Sequence, residues 1–392
     1  MDVLLEKAAD GLNLDRSNWR LVKFGDVAIQ QKESVDRENT GITRYVKGEH
    51  MNSEDLHLRE WGELTDEYLG PAFIRKFEEG DILYGSRRTY LRKVVIAPFE
   101  GITSNTTFVI KANESNIDKR LLPFVMMSEG FTQHSIRNSK GSVNPYVNWK
   151  DLAGYEFLLP PKEQQAELAE MLWAMDDVVE KELVVLNSLH NTYQTRVDNL
   201  FSIRHDDWSY FSLSSEADIN KRSLNVKTKP DYTFQYLDIS SILEPKKIGK
   251  MHTLRFDEAP SRAKRVLDDG SIVISLVRPY QKSFVFIEKG QDIVASTGTG
   301  VVDSRGLNKK FLFHQFFSKR FIQFCENRMT GTNYPAITPN DLSKFQIAIP
   351  NDETTIELET NKLNEIDSLI TRQKITLDHS KSLQKSLINQ VF

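Results

Sequence analysis

The period of the apolar positions changes three times along the chain. Residues 19–159 carry short β-branched and aromatic runs, such as Val94-Val-Ile-Ala-Pro98 and Thr107-Phe-Val-Ile110, which are bounded by Gly, Pro, Asn and Asp and predict strands. From Pro161 the spacing becomes three, four and seven: Val179, Leu183, Leu186, Tyr193, Val197 and Leu200 form one seam, with His190 at its polar position, and predict a long helix. Strand-like runs return over 208–349 in Ser271-Ile-Val-Ile274 and Phe284-Val-Phe-Ile287. A second helix follows, on a more polar seam of Ile366, Ile370, Leu377, Leu383, Leu387, Ile388 and Val391. Each strand-rich segment also predicts one helix, 117–137 or 307–328, then a Gly/Asn/Pro loop and a last strand, Tyr155 to Leu159 or Phe345 to Ile349.

Each seam helix is about 55 Å long at 1.5 Å per residue and cannot bury its own apolar stripe. The expected fold class is therefore α+β. Two mixed α/β domains, 1–159 and 205–349, are separated by two long helices, 160–204 and 350–392, which form an antiparallel coiled coil with pseudo-two-fold symmetry.

The two halves repeat at an offset of about 190 residues, an internal duplication. Gly80 and Asp81 fall on Gly270 and Ser271. Arg88-Thr-Tyr90-Leu-Arg92 falls on Arg278-Pro-Tyr280-Gln-Lys282, and Gly141-Ser-Val-Asn-Pro145 on Gly331-Thr-Asn-Tyr-Pro335. Asp151-Leu152 and Pro160 fall on Asp341-Leu342 and Pro350.

With 392 residues, 39% of them hydrophobic, the chain can bury two cores of ordinary size. No stretch approaches the roughly 18 apolar residues of a membrane span, and the N-terminus lacks the features of a secretion signal. The lone Cys325 excludes an internal disulfide and reads as a buried side chain on a Phe-rich helix, so a cytoplasmic setting is expected. The net charge of −4 is unevenly spread: residues 205–349 carry 21 basic and 16 acidic residues, whereas the two helical segments together carry 9 and 15. Acidity thus concentrates on the helices.

Catalytic signatures are missing. No phosphate loop, dinucleotide turn, nucleophile elbow or metal-binding histidine pair is present, so no catalytic residue, metal site or cofactor is expected. Asn144-Pro-Tyr146 lacks the second proline of an amino-methyltransferase motif and any glycine-rich loop upstream. Asp231, Glu244 and Lys246 fit the loose PD…ExK spacing of metal-dependent nucleases. However, Pro245 would interrupt the strand that must carry Glu244 and Lys246, and the first half has no equivalent.

What remains is surface for nucleic acid. Arg88, Tyr90 and Arg92, and their counterparts Arg278, Tyr280 and Lys282, combine charge with a planar ring beside a strand. The loops carrying Lys140, Ser142 and Asn144, and Thr332, Asn333 and Tyr334, offer flexible backbone with amide and hydroxyl groups. A protein-interaction scaffold that uses only its helices is the rival reading.

Leu159-Pro-Pro-Lys-Glu163-Gln164-Gln165, opening the first long helix between two variable segments, resembles the start of the central conserved helix in specificity subunits of Type I restriction-modification systems. The order of elements is similar over the whole chain. In the second copy Ile349-Pro-Asn-Asp-Glu353-Thr departs from the pattern, lacking the second proline and the glutamine. The resemblance implies two target-recognition domains that each read one half of a split site in double-stranded DNA, with helices that fix the gap. It also implies two methyltransferase partners, further restriction (motor) subunits and a nucleoid-associated location. Types shared by both copies suit positioning on phosphates, and divergent stretches suit base readout. Candidate base readers are Gln30, Gln31, Arg37, Arg44, Lys47 and Asn52 in the first copy. In the second they are Lys221, Arg222, Asn225, Gln235, Lys246, Lys247 and Arg255.

Overall fold

The computed structural model describes residues 14–36, 40–65 and 68–392; Arg37, one of the candidate base readers, lies outside them. The chain resolves into two compact units. The first runs to Leu183 and adds Ile375–Phe392, and the second is Val184–Lys374, so each unit takes half of each long helix.

In the first unit an antiparallel sheet runs in the order Ala28–Gln31, Thr107–Ala112, Ile82–Gly85, Val94–Ile96. A second sheet is ordered Gly62–Glu63, Arg44–Val46, Gly101–Ser104, Phe73–Phe77, with its central pair parallel. Val46 and Phe77 of one sheet meet Leu83, Val95 and Val109 of the other in a closed core. Arg20–Lys23 pairs with Glu156–Leu159, which closes the globule just before the long central helix Lys162–Phe201.

The second unit repeats this topology: Ala217–Ile219, Thr299–Ser304, Ile272–Ser275, Phe284–Phe286 in one sheet, and His252–Arg255, Thr233–Leu237, Ile293–Ser296, Ala263–Val266 in the other. Its core of Leu237, Leu267, Val273, Val285 and Val301 occupies matching positions. Trp208–Ser212 pairs with Gln346–Pro350 ahead of the C-terminal helix Glu353–Val391. One hairpin, Ile242–Glu244 with Lys247–Ile248, is particular to this unit among the described residues.

The single helix expected in each globule is two helices. Leu122–Met127 gives way to Glu129–Arg137, and Lys309–Gln315 to Lys319–Glu326. The break falls on Ser128 and Ser318, 190 residues apart. Both are extended at ψ 152° and 149°, and their hydroxyls accept from Phe131 N and Phe321 N, so each starts a new helix as an N-cap. Cys325 is fully buried, and burial pushes its thiol up to about 12.

Of the seam residues, Val179, Leu186, Val197, Ile370, Leu377 and Ile388 are buried, while Leu183 and Leu200 are half-buried. In the first unit Gln384 Nε2 donates to Asp176 Oδ1 at 2.8 Å and Ser380 Oγ to Glu182 Oε1 at 3.0 Å. Numbers fall on one helix as they rise on the other, so these two helix halves are antiparallel neighbours. In the second unit Arg196 pairs with Glu359, and His190 feels the charges of Lys374 and Asp367, in the same sense. No described helix is long and apolar enough to cross a membrane.

Candidate nucleic-acid interface

The shared R-x-Y-x-[KR] element follows a core strand in each unit and turns as a single 3-10 helix, Thr89–Leu91 or Pro279–Gln281. The residues on either side are left-handed: Arg88 at φ 51°, Arg92 at 52°, Arg278 at 47° and Lys282 at 53°. Such conformations cost roughly 1–3 kcal/mol each and persist only where surrounding contacts impose them. Here the contacts come from the Gly/Asn/Pro loop. Arg88 N donates to Pro145 O at 2.6 Å and Arg278 N to Pro335 O at 2.8 Å. The loops are closed by Lys140–Tyr146 and Thr330–Ala336 bridges and turn at Gly141 and Gly331, whose φ of 92° and 97° favours glycine.

The fold thus joins two elements far apart in sequence into one exposed ridge. Arg88 Nε and Nη2 donate to Asn144 Oδ1 at 3.0 and 2.7 Å, while Arg278 Nη2 donates to Asn333 O at 2.7 Å with its guanidinium 4.9 Å from the Tyr334 ring. Tyr90, Tyr280 and Tyr334 are exposed, as are Ser142 and Thr332. Lys140 joins Asp151 at 3.2 Å. Arg87, Val143 and Tyr146, which are not among the candidates read from the sequence, lie on the same ridge. Val143 is 83% exposed, and Arg87 bridges Tyr146 where the second copy has Val277 and Ala336. The change of residue type across the duplication was the available signal.

The last cation of each element faces inward. Arg92 is held by Glu54 and Glu129 at 2.8 and 2.6 Å and by Met127 O at 2.9 Å. Lys282 Nζ donates to Gln194 Oε1 at 2.8 Å and Phe317 O at 3.3 Å, and burial lowers its pKa. Lys282 thus touches the long helix directly, and Arg92 reaches one only through Glu54, which Lys385 of the C-terminal helix also holds at 2.8 Å.

The divergent candidates are scattered. Gln30 and Gln31 lie on the edge strand of the first sheet, and Gln30 Oε1 is buried without a partner. Arg44 pairs with Glu63 and lies over Phe99 at 4.8 Å, Lys47 pairs with Glu49, and Asn52 is exposed. In the second unit Lys221 joins Asp218, Arg222 joins Asp268, and Arg255 joins Asp257, all at the surface. Asn225 and Gln235 are exposed.

Lys246 and Lys247 sit in the additional hairpin. Lys246 Nζ is bound by both oxygens of Asp367 at 2.6 and 2.7 Å, 3.6 Å from the Tyr193 ring centre, and burial pulls its pKa down to about 8. Glu244 is taken by Lys374 at 2.7 Å and Lys247 at 3.1 Å. The PD…ExK reading fails here, because Glu244 and Lys246 are spent on the C-terminal helix. Among the described residues no three His, Cys, Asp or Glu side chains gather as a metal site.

The start of the central helix has a local explanation. Gln165 is buried, accepting from Asp118 N at 2.7 Å and donating to Pro160 O at 2.8 Å, and Gln164 accepts from Trp19 Nε1 at 2.9 Å. In the second copy Asp352 caps the helix instead, accepting from Thr355 N at 2.8 Å, so the missing glutamine is replaced by another device.

Residues 16–187 match the family model described as the Type I restriction modification DNA specificity domain. Over these residues, somewhat less than half of its length, the chain is similar to Type I specificity subunits. It is 22% identical to the MjaVIII specificity subunit of Methanocaldococcus jannaschii, over 95% of this chain and 91% of that one. Identity to the EcoDI specificity subunit of Escherichia coli is 29% over 47% of this chain, spanning 40% of that relative's length. The fold is also that of solved chains. One is the S subunit of a Type I system from M. genitalium, with TM-score 0.58 and 12% identity, covering 97% of this chain and 98% of that one. Another comes from a type I R-M system studied for its complex assembly and conformational transition, with TM-score 0.57 and 18% identity, covering 96% and 97%.

Proposed function

We propose that this chain is a Type I specificity subunit that reads double-stranded DNA without catalysing a reaction, each globular unit recognising one half of a bipartite site. The duplication carries the reading: two globules of one topology present the same pinned ridge with different side chains on it. In this assignment 1–159 and 205–349 are the target-recognition domains, and the helical segments 160–204 and 350–392 set the gap and dock two methyltransferase subunits, to which restriction subunits add. The place of work is the cytoplasm, on the chromosome. Arg88 and Arg278, shared and at the surface, position the units on phosphates. Arg92 and Lys282 serve as internal links, and Lys246 likewise. The other divergent residues, from Gln30 and Arg44 to Arg222 and Arg255, remain the pool from which base contacts are drawn.

The deciding experiment maps methylated bases in DNA exposed to this chain and its methyltransferase partner. Two short specific sequences at a fixed separation are expected. A scaffold that does not read DNA would leave methylation unchanged when the chain is omitted.

A further inference from the structure

Shared and divergent positions interleave on the ridge within a few residues. The frame is common: a left-handed arginine, the exposed Tyr90 or Tyr280, the turn glycine, and the proline carbonyl that accepts from the arginine backbone. The residue the arginine side chain touches is not. In the first unit Arg88 grips Asn144 by two hydrogen bonds to one carbonyl oxygen. In the second the residue 190 positions on is Tyr334, whose ring lies 4.9 Å from the Arg278 guanidinium.

This grip decides what each residue can offer. With Oδ1 occupied by two guanidinium donors, Asn144 has only its Nδ2 protons left to present, and among the described residues these donate to nothing. An asparagine held this way cannot make the two-way pairing with adenine, which needs both its donor and its acceptor. It offers a donor alone, fit for a base edge bearing an acceptor. Tyr334, 71% exposed, offers an apolar ring instead, with the Arg278 guanidinium over it at 4.9 Å from the ring centre. Its fit is a base carrying a methyl group.

Resting on the proposal that the units read DNA, we infer that Asn144 and Tyr334 are base-discriminating residues at equivalent positions of the two half-sites, Asn144 donating to an acceptor-bearing base edge and Tyr334 packing on a thymine methyl. The loops therefore do more than position the protein. Arg88 and Arg278 keep a phosphate role through their remaining donors while fixing the reader beside them.

The test replaces the readers and spares the frame. In Asn144→Asp the remaining oxygen still accepts from Arg88, but the outward group becomes an acceptor, which favours the cytosine amino group. Tyr334→Ala removes the ring from an exposed loop and leaves the core untouched. Each variant, assembled with its methyltransferase partner, is given DNA randomised in both half-sites and the methylated products are sequenced. The expected result is a change of preference on the order of tenfold at one base of one half-site, the other half-site being unaltered. Asn144→Asp and Tyr334→Ala should act on different halves. Uniform loss over all sequences with the site unchanged would overturn this inference and leave the functional reading standing. A wild-type protein that directs no bipartite methylation would overturn both.

Discussion

His57 Nε2 lies 2.7 Å from Asp176 Oδ2, fastening a loop of the first globule to the central helix. Gln384 holds the other oxygen of the same carboxylate, and Arg59 pairs with both Asp55 and Glu180 beside it. The hydrogen bond to Asp176 raises the pKa of His57 above the ordinary 6.5, against the opposing effect of burial. Because the folded value is the higher one, this link contributes its full stability below pH 6.5 and loses it as the pH rises through the folded pKa. With the imidazole partly exposed, the contribution is about 1 kcal/mol, or roughly 2–4 °C for a unit of this size. The melting temperature of His57→Ala should therefore fall short of wild type at pH 6 and approach it by pH 9. An equal deficit at both values would show that the link is not ionic.

Arg92 and Arg88 should separate cleanly, although four residues apart. Arg92→Ala leaves Glu54 and Glu129 without their guanidinium, at a cost of about 1.5–3 kcal/mol in unfolding free energy. Its DNA salt dependence should match wild type. Arg88→Ala should lower affinity for every sequence and reduce the slope of log K against log salt by about one. Fluorescence anisotropy at several salt concentrations, together with urea melts, measures both. An altered salt slope in Arg92→Ala would return that residue to the DNA surface.

The 190-residue offset made much of this architecture legible. It places Arg88 and Arg278 in the same left-handed conformation, Gly141 and Gly331 at the same turn, and the pairs Ile82–Ile96 and Ile272–Phe286 in the same register, because local backbone needs repeat with the residues that meet them. Breaks within regular patterns were less visible. Ser128 and Ser318 sit inside apolar helical stretches, and only the backbone turning extended there reveals them as caps. Least legible were the joints. His57 and Asp176 are 119 residues apart, and Lys246 and Asp367 are 121 apart, so no local spacing encodes either pairing. Surface charge in a divergent segment reads equally as a base contact or a strut. Lys246 is a strut because the additional hairpin turns it onto the C-terminal helix.

Lys246→Met should destabilise the second unit, since it strands the Asp367 carboxylate in a site where burial already raises its pKa. Losing one partner of such a pair costs about 3–5 kcal/mol when fully buried, and replacing both by apolar groups restores much of it. Lys246→Met/Asp367→Leu should then be more stable than the single variant in thermal melts, with an unchanged methylation map. A double variant no better than the single would mean that packing around Tyr193, rather than charge, decides the site.

The helices as ruler give the last prediction. Seven residues inserted after Leu186, with seven matched in the C-terminal helix after Arg372 to keep the antiparallel neighbours in step, add about 10 Å of helix. That is about three base pairs at roughly 3.4 Å each. Seven residues are close to two helical turns, so the apolar seam carrying Leu186 and Tyr193 keeps its face. Each globule has its own closed core, so its reading ridge should survive the change. In a methylation map of the assembled variant the two half-sites should be unaltered and the gap between them longer by about three base pairs. An unchanged gap would remove the helices as the ruler. New half-site bases would show instead that the ridges depend on helix geometry and do not read DNA as independent units.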